Sequence, residues 1–333
     1  MHYSVCVVIP SEKIIVQDNR IINFHSTLDD IMARFDANTS RPEYLEFDDC
    51  TERVHESYLH DSFTAIRYPD GKIRGTWDPE FYRHYKVKDD VILDIADCSS
   101  GIETEISKQL VLLKEYPARS FFSFEDYCEQ YCGLIKNHEG SWGQFYNPHA
   151  EWDWFTIGGR FAGQLLVKEN ATCIIPVSSG DTNASALPKG YRCVNGAFMK
   201  DIEWGKMHEL KVRNAKESYS AYVHAYNTRD VSGLGPLAFL TEDGISGFSD
   251  MIYIKGESLE QFLSRNGLDE SDIHPLNIYA FVSTNGEWQS CNNSGWFDVD
   301  ADGTSQRIWN DELLKLSKKI GQDDYLTIID CHI

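Results

Sequence analysis

Apolar, β-branched runs stand at both ends of the chain: Tyr3-Ser4-Val5-Cys6-Val7-Val8-Ile9, closed by Pro10, and Tyr325-Leu326-Thr327-Ile328-Ile329-Asp330. Neither run alternates cleanly between apolar and polar positions, so each predicts a strand covered on both faces rather than an edge strand. The terminal strands are therefore expected in one sheet, which favours a single closed core over 1–333. Between them the periodicity changes. Residues 28–35 read as a short helix capped by Ser26 or Thr27, with Asp29 and Asp30 suited to its first turn. Further helices are predicted over 103–115, stopped by Pro117, over 124–135, where Ser123 and Asp126 resemble a capping box, and over 204–226. Two more are predicted over 258–266, ended by Gly267, and over 310–320, ended by Gly321. Turn residues predict one hairpin around Tyr68-Pro69-Asp70-Gly71-Lys72 and another across Thr284-Asn285-Gly286. The Ser-, Gly-, Asn- and Thr-rich stretch 177–190 reads as a loop and the best internal break, between possible sub-lobes 1–176 and 191–333. Short strands with unevenly spaced helices predict an α+β fold: a mixed, largely antiparallel sheet that includes both terminal strands, with helices packed on it.

One stretch concentrates unusual side chains: Asn147-Pro148-His149-Ala150-Glu151-Trp152-Asp153-Trp154-Phe155-Thr156-Ile157-Gly158-Gly159-Arg160-Phe161. In a regular strand Trp152 and Trp154 share one face, and His149, Glu151 and Asp153 share the other. Gly158 and Gly159 let the backbone bend or approach a ligand just before Arg160. Two readings stand. In one, the indole faces stack on a base or other planar ligand while Arg160 meets an anion. In the other, both tryptophans are core and Arg160 pairs with Asp153 or Glu151. A hydrolytic version uses His149, Glu151 and Asp153 as general acid and base or as ligands of a divalent cation, joined by His332 from the terminal strand. Cys331 points away from the face of its neighbour His332 and reads as a packed thiol.

Composition narrows the classes. The 333 residues include 31 basic and 52 acidic side chains, a formal charge of −21, and 42% are hydrophobic. Such a chain folds, and it repels a phosphate backbone, which argues against nonspecific binding of nucleic acid. No run of about 18 apolar residues predicts a membrane span. Nine cysteines without paired CxxC units suit reduced thiols in cytoplasm. Asp298, Asp300 and Asp302, followed by Gly303, supply half of a calcium loop, but Trp309 stands where a closing Glu belongs. An acidic turn and weak metal binding both remain open there.

The opening His2-Tyr3-Ser4-Val5-Cys6-Val7-Val8-Ile9, the block from Asn147 to Phe161, the run Asn285-Gly286-Glu287-Trp288 leading to Gly295-Trp296-Phe297, and the ending Asp330-Cys331-His332-Ile333 occur in an order that resembles a family of uncharacterised proteins widespread in bacteriophage genomes. The segment 44–85 is similar too. The resemblance implies expression in the cytoplasm of a bacterial host and carries no reaction with it. This chain has Glu151 where that family commonly has a basic residue, so phosphate holding would fall to Arg160 with the Gly158 and Gly159 amides. The expected function is that of a phage counter-defence protein that binds and sequesters, or degrades, a nucleotide-derived immune signal. Two other classes compete: an acidic inhibitor that occludes a host defence protein, and a metal-dependent hydrolase unrelated to defence.

Overall fold

A computed structural model describes residues 2–95, 103–178, 187–234, 238–246, 253–266, 268, 274–291 and 304–333. The chain separates into two compact units, one formed by 1–39 with 149–333 and the other by 40–148. Of the stretch 177–190, residues 179–186 lie outside the described residues, and the rest belongs to the first unit.

The first unit is built on a mixed, mostly antiparallel sheet. Its strands are β1 (His2–Ile9), β2 (Trp154–Ile157), β3 (Leu165–Lys168), β4 (Ile175–Pro176), β5 (Tyr191–Phe198), β6 (Ala280–Val282), β7 (Trp288–Ser290) and β8 (Tyr325–His332). Spatial order is β3-β5-β8-β1-β6-β7, with β2 also on β8 and β4 also on β5. Only the β1–β6 pairing is parallel among these. The terminal strands pair along their whole length, from His2 opposite His332 to Ile9 opposite Tyr325. Their continuous apolar pattern has a direct cause: helices cover both sheet faces. On one face, Cys6, Val8, Leu326 and Ile328 meet Met207 of α2 (Trp204–Thr228) and Trp309, Leu313 and Leu316 of a helix over Thr304–Ser317. On the other, Tyr3, Val5, Val7, Ile329 and Cys331 meet Phe24, Leu28 and Met32 of α1 (Phe24–Met32).

Several local expectations hold and others do not. The hairpin between Ala280–Val282 and Trp288–Ser290 forms, as does the helix Leu259–Arg265 with a full Ser258/Gln261 capping box. The first helix starts earlier than expected, with Asn23 in the cap position, whose side chain serves the preceding loop through Ile15 N and Lys13 O. In the second unit, Val111–Pro117 is a strand, not a helix. It pairs with Ser62–Arg67, burying Leu110 beside Ile66, so pairing overrides a weak helical pattern. The helix begun at Phe124 ends as a π turn over Tyr127–Tyr131, where Cys132 N–H donates to Tyr127 O, and it leaves Cys128 buried and Cys132 exposed. Among the described residues, no helix is long and apolar enough to cross a membrane.

His274 is a buried titratable group of the first unit. Its Nδ1 accepts from Leu276 N–H at 3.3 Å, and its ring packs on Trp204 at 5.3 Å. Burial first, then the nearby Lys211 cation, pulls its pKa down to about 4. A folded-state pKa below the unfolded value means that unfolded chains take up the proton first, so stability falls as pH drops from about 6.5 toward 4. His274→Asn keeps an acceptor for Leu276 but cannot titrate. Unfolding free energies from urea titrations at pH 7 and pH 4.5 are expected to differ by about 2–3 kcal/mol less in this variant than in wild type. Equal acid losses in the two proteins would show that His274 does not carry the effect.

Candidate functional site

The sheet face that carries Cys6, Val8, Leu326 and Ile328 changes character at its far end. Strand alternation on β1 and β8 puts His2, Asp330 and His332 on that same face, and β2 adds Trp154 opposite His332 and Thr156 opposite Asp330. An apolar core face thus finishes in rungs made of histidine, aspartate and tryptophan.

These side chains form two carboxylate–imidazole pairs. His2 Nδ1 lies 2.9 Å from Asp330 Oδ1, and His332 Nδ1 lies 2.8 Å from Asp153 Oδ1. The two rings are 5.1 Å apart, centroid to centroid. Trp154 stacks on His332 at 5.4 Å with planes 17° apart and meets His2 edge-on at 5.2 Å. It remains 45% exposed. The hydrogen bond to His332 holds the Asp153 carboxyl below its usual range. Asp330 is only 2% exposed, and its second oxygen accepts the Arg160 backbone N–H at 3.0 Å. A buried carboxylate is costly unless satisfied, and here an imidazole and an amide satisfy it. With Nδ1 assigned as the donor to each carboxylate, Nε2 of both rings is left open.

The glycine pair explains how Arg160 reaches this position. Gly158 N–H donates to Ile328 O at 2.9 Å, at the seam where β8 passes from pairing with β2 to pairing with β5. Both glycines have left-handed φ, +72° and +52°. A Cβ on Gly158 would sit 2.5 Å from the Asn195 amide, and one on Gly159 would sit 2.6 Å from Asp330 Oδ2. Asn195 Oδ1 in turn accepts Gly163 N–H at 2.8 Å. The close backbone approach is therefore made to the protein's own Asp330 and Asn195. Arg160 is exposed, and its guanidinium has no hydrogen bond or ion pair among the described residues.

The expected constellation is partly assembled and partly rearranged. Asp153 and His332 come together. His149 does not join them: it lies in an exposed turn and acts electrostatically on Glu151, whose carboxyl burial pushes upward. Trp152 and Trp154 do not share a face. The chain bends at Asp153, because Trp152 bridges to Asp36 before β2 joins β8. Trp152 is 8% exposed among Phe24, Met32 and Phe35, with Nε1 donating to Met32 O at 3.2 Å. Arg160 pairs with neither Asp153 nor Glu151. Cys331 is a buried thiol on the face opposite His332. Asp298, Asp300 and Asp302 lie outside the described residues, and among the described residues no group of three or more His, Cys, Asp and Glu side chains is placed to hold a metal ion. His2, Asp330 and Asn195 escaped the sequence reading. The signal was present for the first two, as polar residues on one alternation of otherwise apolar strands.

The second unit has a groove of about 430 Å³ lined by Lys72, Arg74, Trp77, Phe121 and Phe122. Its Arg74 is already neutralised by Asp78 and Glu80, at 3.3 and 2.7 Å. No family profile, curated protein or solved structure matches the chain.

Proposed function

We propose that the polar end of the sheet binds a small nucleotide-type ligand, with Arg160 on its phosphate and Trp154 against its base. The observation that carries this reading is the grouping of two carboxylate-tied imidazoles 5.1 Å apart beside a half-exposed indole, with the exposed Arg160 anchored through its backbone on Asp330. Such groups offer charge-assisted hydrogen bonds to an anion and a flat apolar surface to a ring. The net charge of −21 favours a small anion seated on local cations over a polymer approaching the whole surface. The phage-like segments of the sequence suggest a setting, in which the ligand is an immune signal that the protein sequesters or degrades.

The test is a panel of linear, cyclic and ADP-ribose-derived nucleotides, read by melting temperature and product mass together. At least one member is expected to raise the melting temperature, and Arg160→Ala is expected to weaken its binding by about 10- to 100-fold, the worth of charge-assisted bonds to phosphate. Silence of the folded protein across the panel would remove the nucleotide reading and turn the search to a host protein partner.

A further inference from the structure

Ligand binding alone does not call for two imidazoles, each fixed by its own carboxylate. A carboxylate at Nδ1 sets the ring's orientation and tautomer, so that a neutral ring presents a lone pair at Nε2 and a protonated ring presents N–H there. The ring centroids are 5.1 Å apart, so a proton acceptor and a proton donor can stand side by side. Asp330, sealed from water behind His2, is the counter-ion better placed to hold a cation, whereas Asp153 behind His332 is partly open to solvent.

We propose that this pair cleaves a ribonucleotide phosphodiester through its own 2′-hydroxyl, an inference that rests on the nucleotide-binding reading. His332 Nε2 takes the proton of the 2′-hydroxyl as the 2′ oxygen bonds to phosphorus. The bond from phosphorus to the 5′ oxygen breaks, and that oxygen takes the proton from His2 Nε2. The products are a 2′,3′-cyclic phosphate and a free 5′-hydroxyl. No water, oxidant or reductant is consumed; one proton has moved from His2 to His332, and exchange with solvent restores the start. Arg160 meets the charge gathered on the phosphoryl oxygens. A nucleophile carried by the substrate needs only deprotonation, since it is already held beside the phosphorus.

The probes are the dinucleotide ApA and its 2′-deoxy counterpart dApdA, with binding followed by NMR titration and products by mass. Wild-type protein is expected to convert ApA to adenosine 2′,3′-cyclic phosphate and adenosine, and to bind dApdA without cutting it. His2→Gln and His332→Gln are each expected to lower turnover by about 10²- to 10⁴-fold, the usual worth of a positioned acid or base, with ApA binding kept within about tenfold. The dApdA comparison uses wild type alone, so it decides even where a variant fails to fold. ApA left intact, or dApdA cut as fast as ApA, overturns the cleavage inference while leaving nucleotide binding standing on the panel above. Failure of every nucleotide to bind overturns that reading and this inference together.

Discussion

Trp152→Ala is expected to cost about 3–5 kcal/mol of stability, the range for truncating a buried large aromatic, while Trp154→Ala costs about 1 kcal/mol or less. The two residues differ by two positions and by environment. Trp152 fills the space between α1 and the sheet, touches Phe155 edge-on at 5.0 Å, and donates to the Met32 carbonyl that closes that helix. Its loss leaves a cavity against α1 and removes one hydrogen bond to that carbonyl. Trp154 stands nearly half exposed against His332, so its removal uncovers an imidazole that water can solvate. Ligand binding is expected to reverse the ranking: Trp154→Ala weakens it by about 10-fold or more, on the scale of base stacking, and Trp152→Ala measured below its melting transition leaves it nearly unchanged. Urea denaturation and ligand titration of both variants check the pair. Equal stability losses would mean that the bend at Asp153 is wrongly placed.

Asp330→Asn is the second substitution with a large expected effect. Its side chain keeps the shape, and the amide oxygen can still accept Arg160 N–H. The amide nitrogen then faces His2 Nδ1, which must become an acceptor, and the His2 proton moves to Nε2. Replacing a charged, buried acceptor is expected to cost about 2–3 kcal/mol. Loss of the carboxylate behind a proton-donating His2 is expected to lower any turnover by about 10²-fold or more. Ring ¹⁵N shifts of His2 report the tautomer directly, in the absence of any ligand. A His2 ring that keeps Nδ1–H in the variant would detach Asp330 from the role given to it.

How much of this was legible beforehand follows from the kind of signal each element gave. The terminal strands were readable because burial on two faces leaves a continuous apolar run, which Val5 to Ile9 and Leu326 to Ile329 show plainly. Residues 111–117 misled, because Val111, Leu112 and Leu113 fit a helix as well as a strand until the partner strand at 62–67 is known. At the site, Asp153 and His332 are each legible as candidates from residue type, but the acid–base pair the sequence suggests is His149 with Asp153. The exclusion of His149 and the parting of Trp152 from Trp154 are not legible, since both depend on one bend where Asp36 meets Trp152. The glycine pair was noticed for the right physical property, permissive φ, and attached to the wrong neighbour: Asp330 and Asn195 crowd it. Long-range register, which puts His2 opposite His332, has no local trace beyond the alternation of polar residues in those two strands.

That register also dictates the timetable of biosynthesis. β1 leaves the ribosome long before β8, the strand that flanks it and supplies Asp330 and His332. At about 5–20 residues per second, the first strand spends on the order of tens of seconds as an unpaired apolar edge, the kind of segment that holdase chaperones shield. Contacts of such wide separation also make for slow closure once the chain is released. A translation product arrested before residue 325 lacks that central strand and both carboxylate–imidazole pairs, so the pairs exist only in molecules whose synthesis has reached β8.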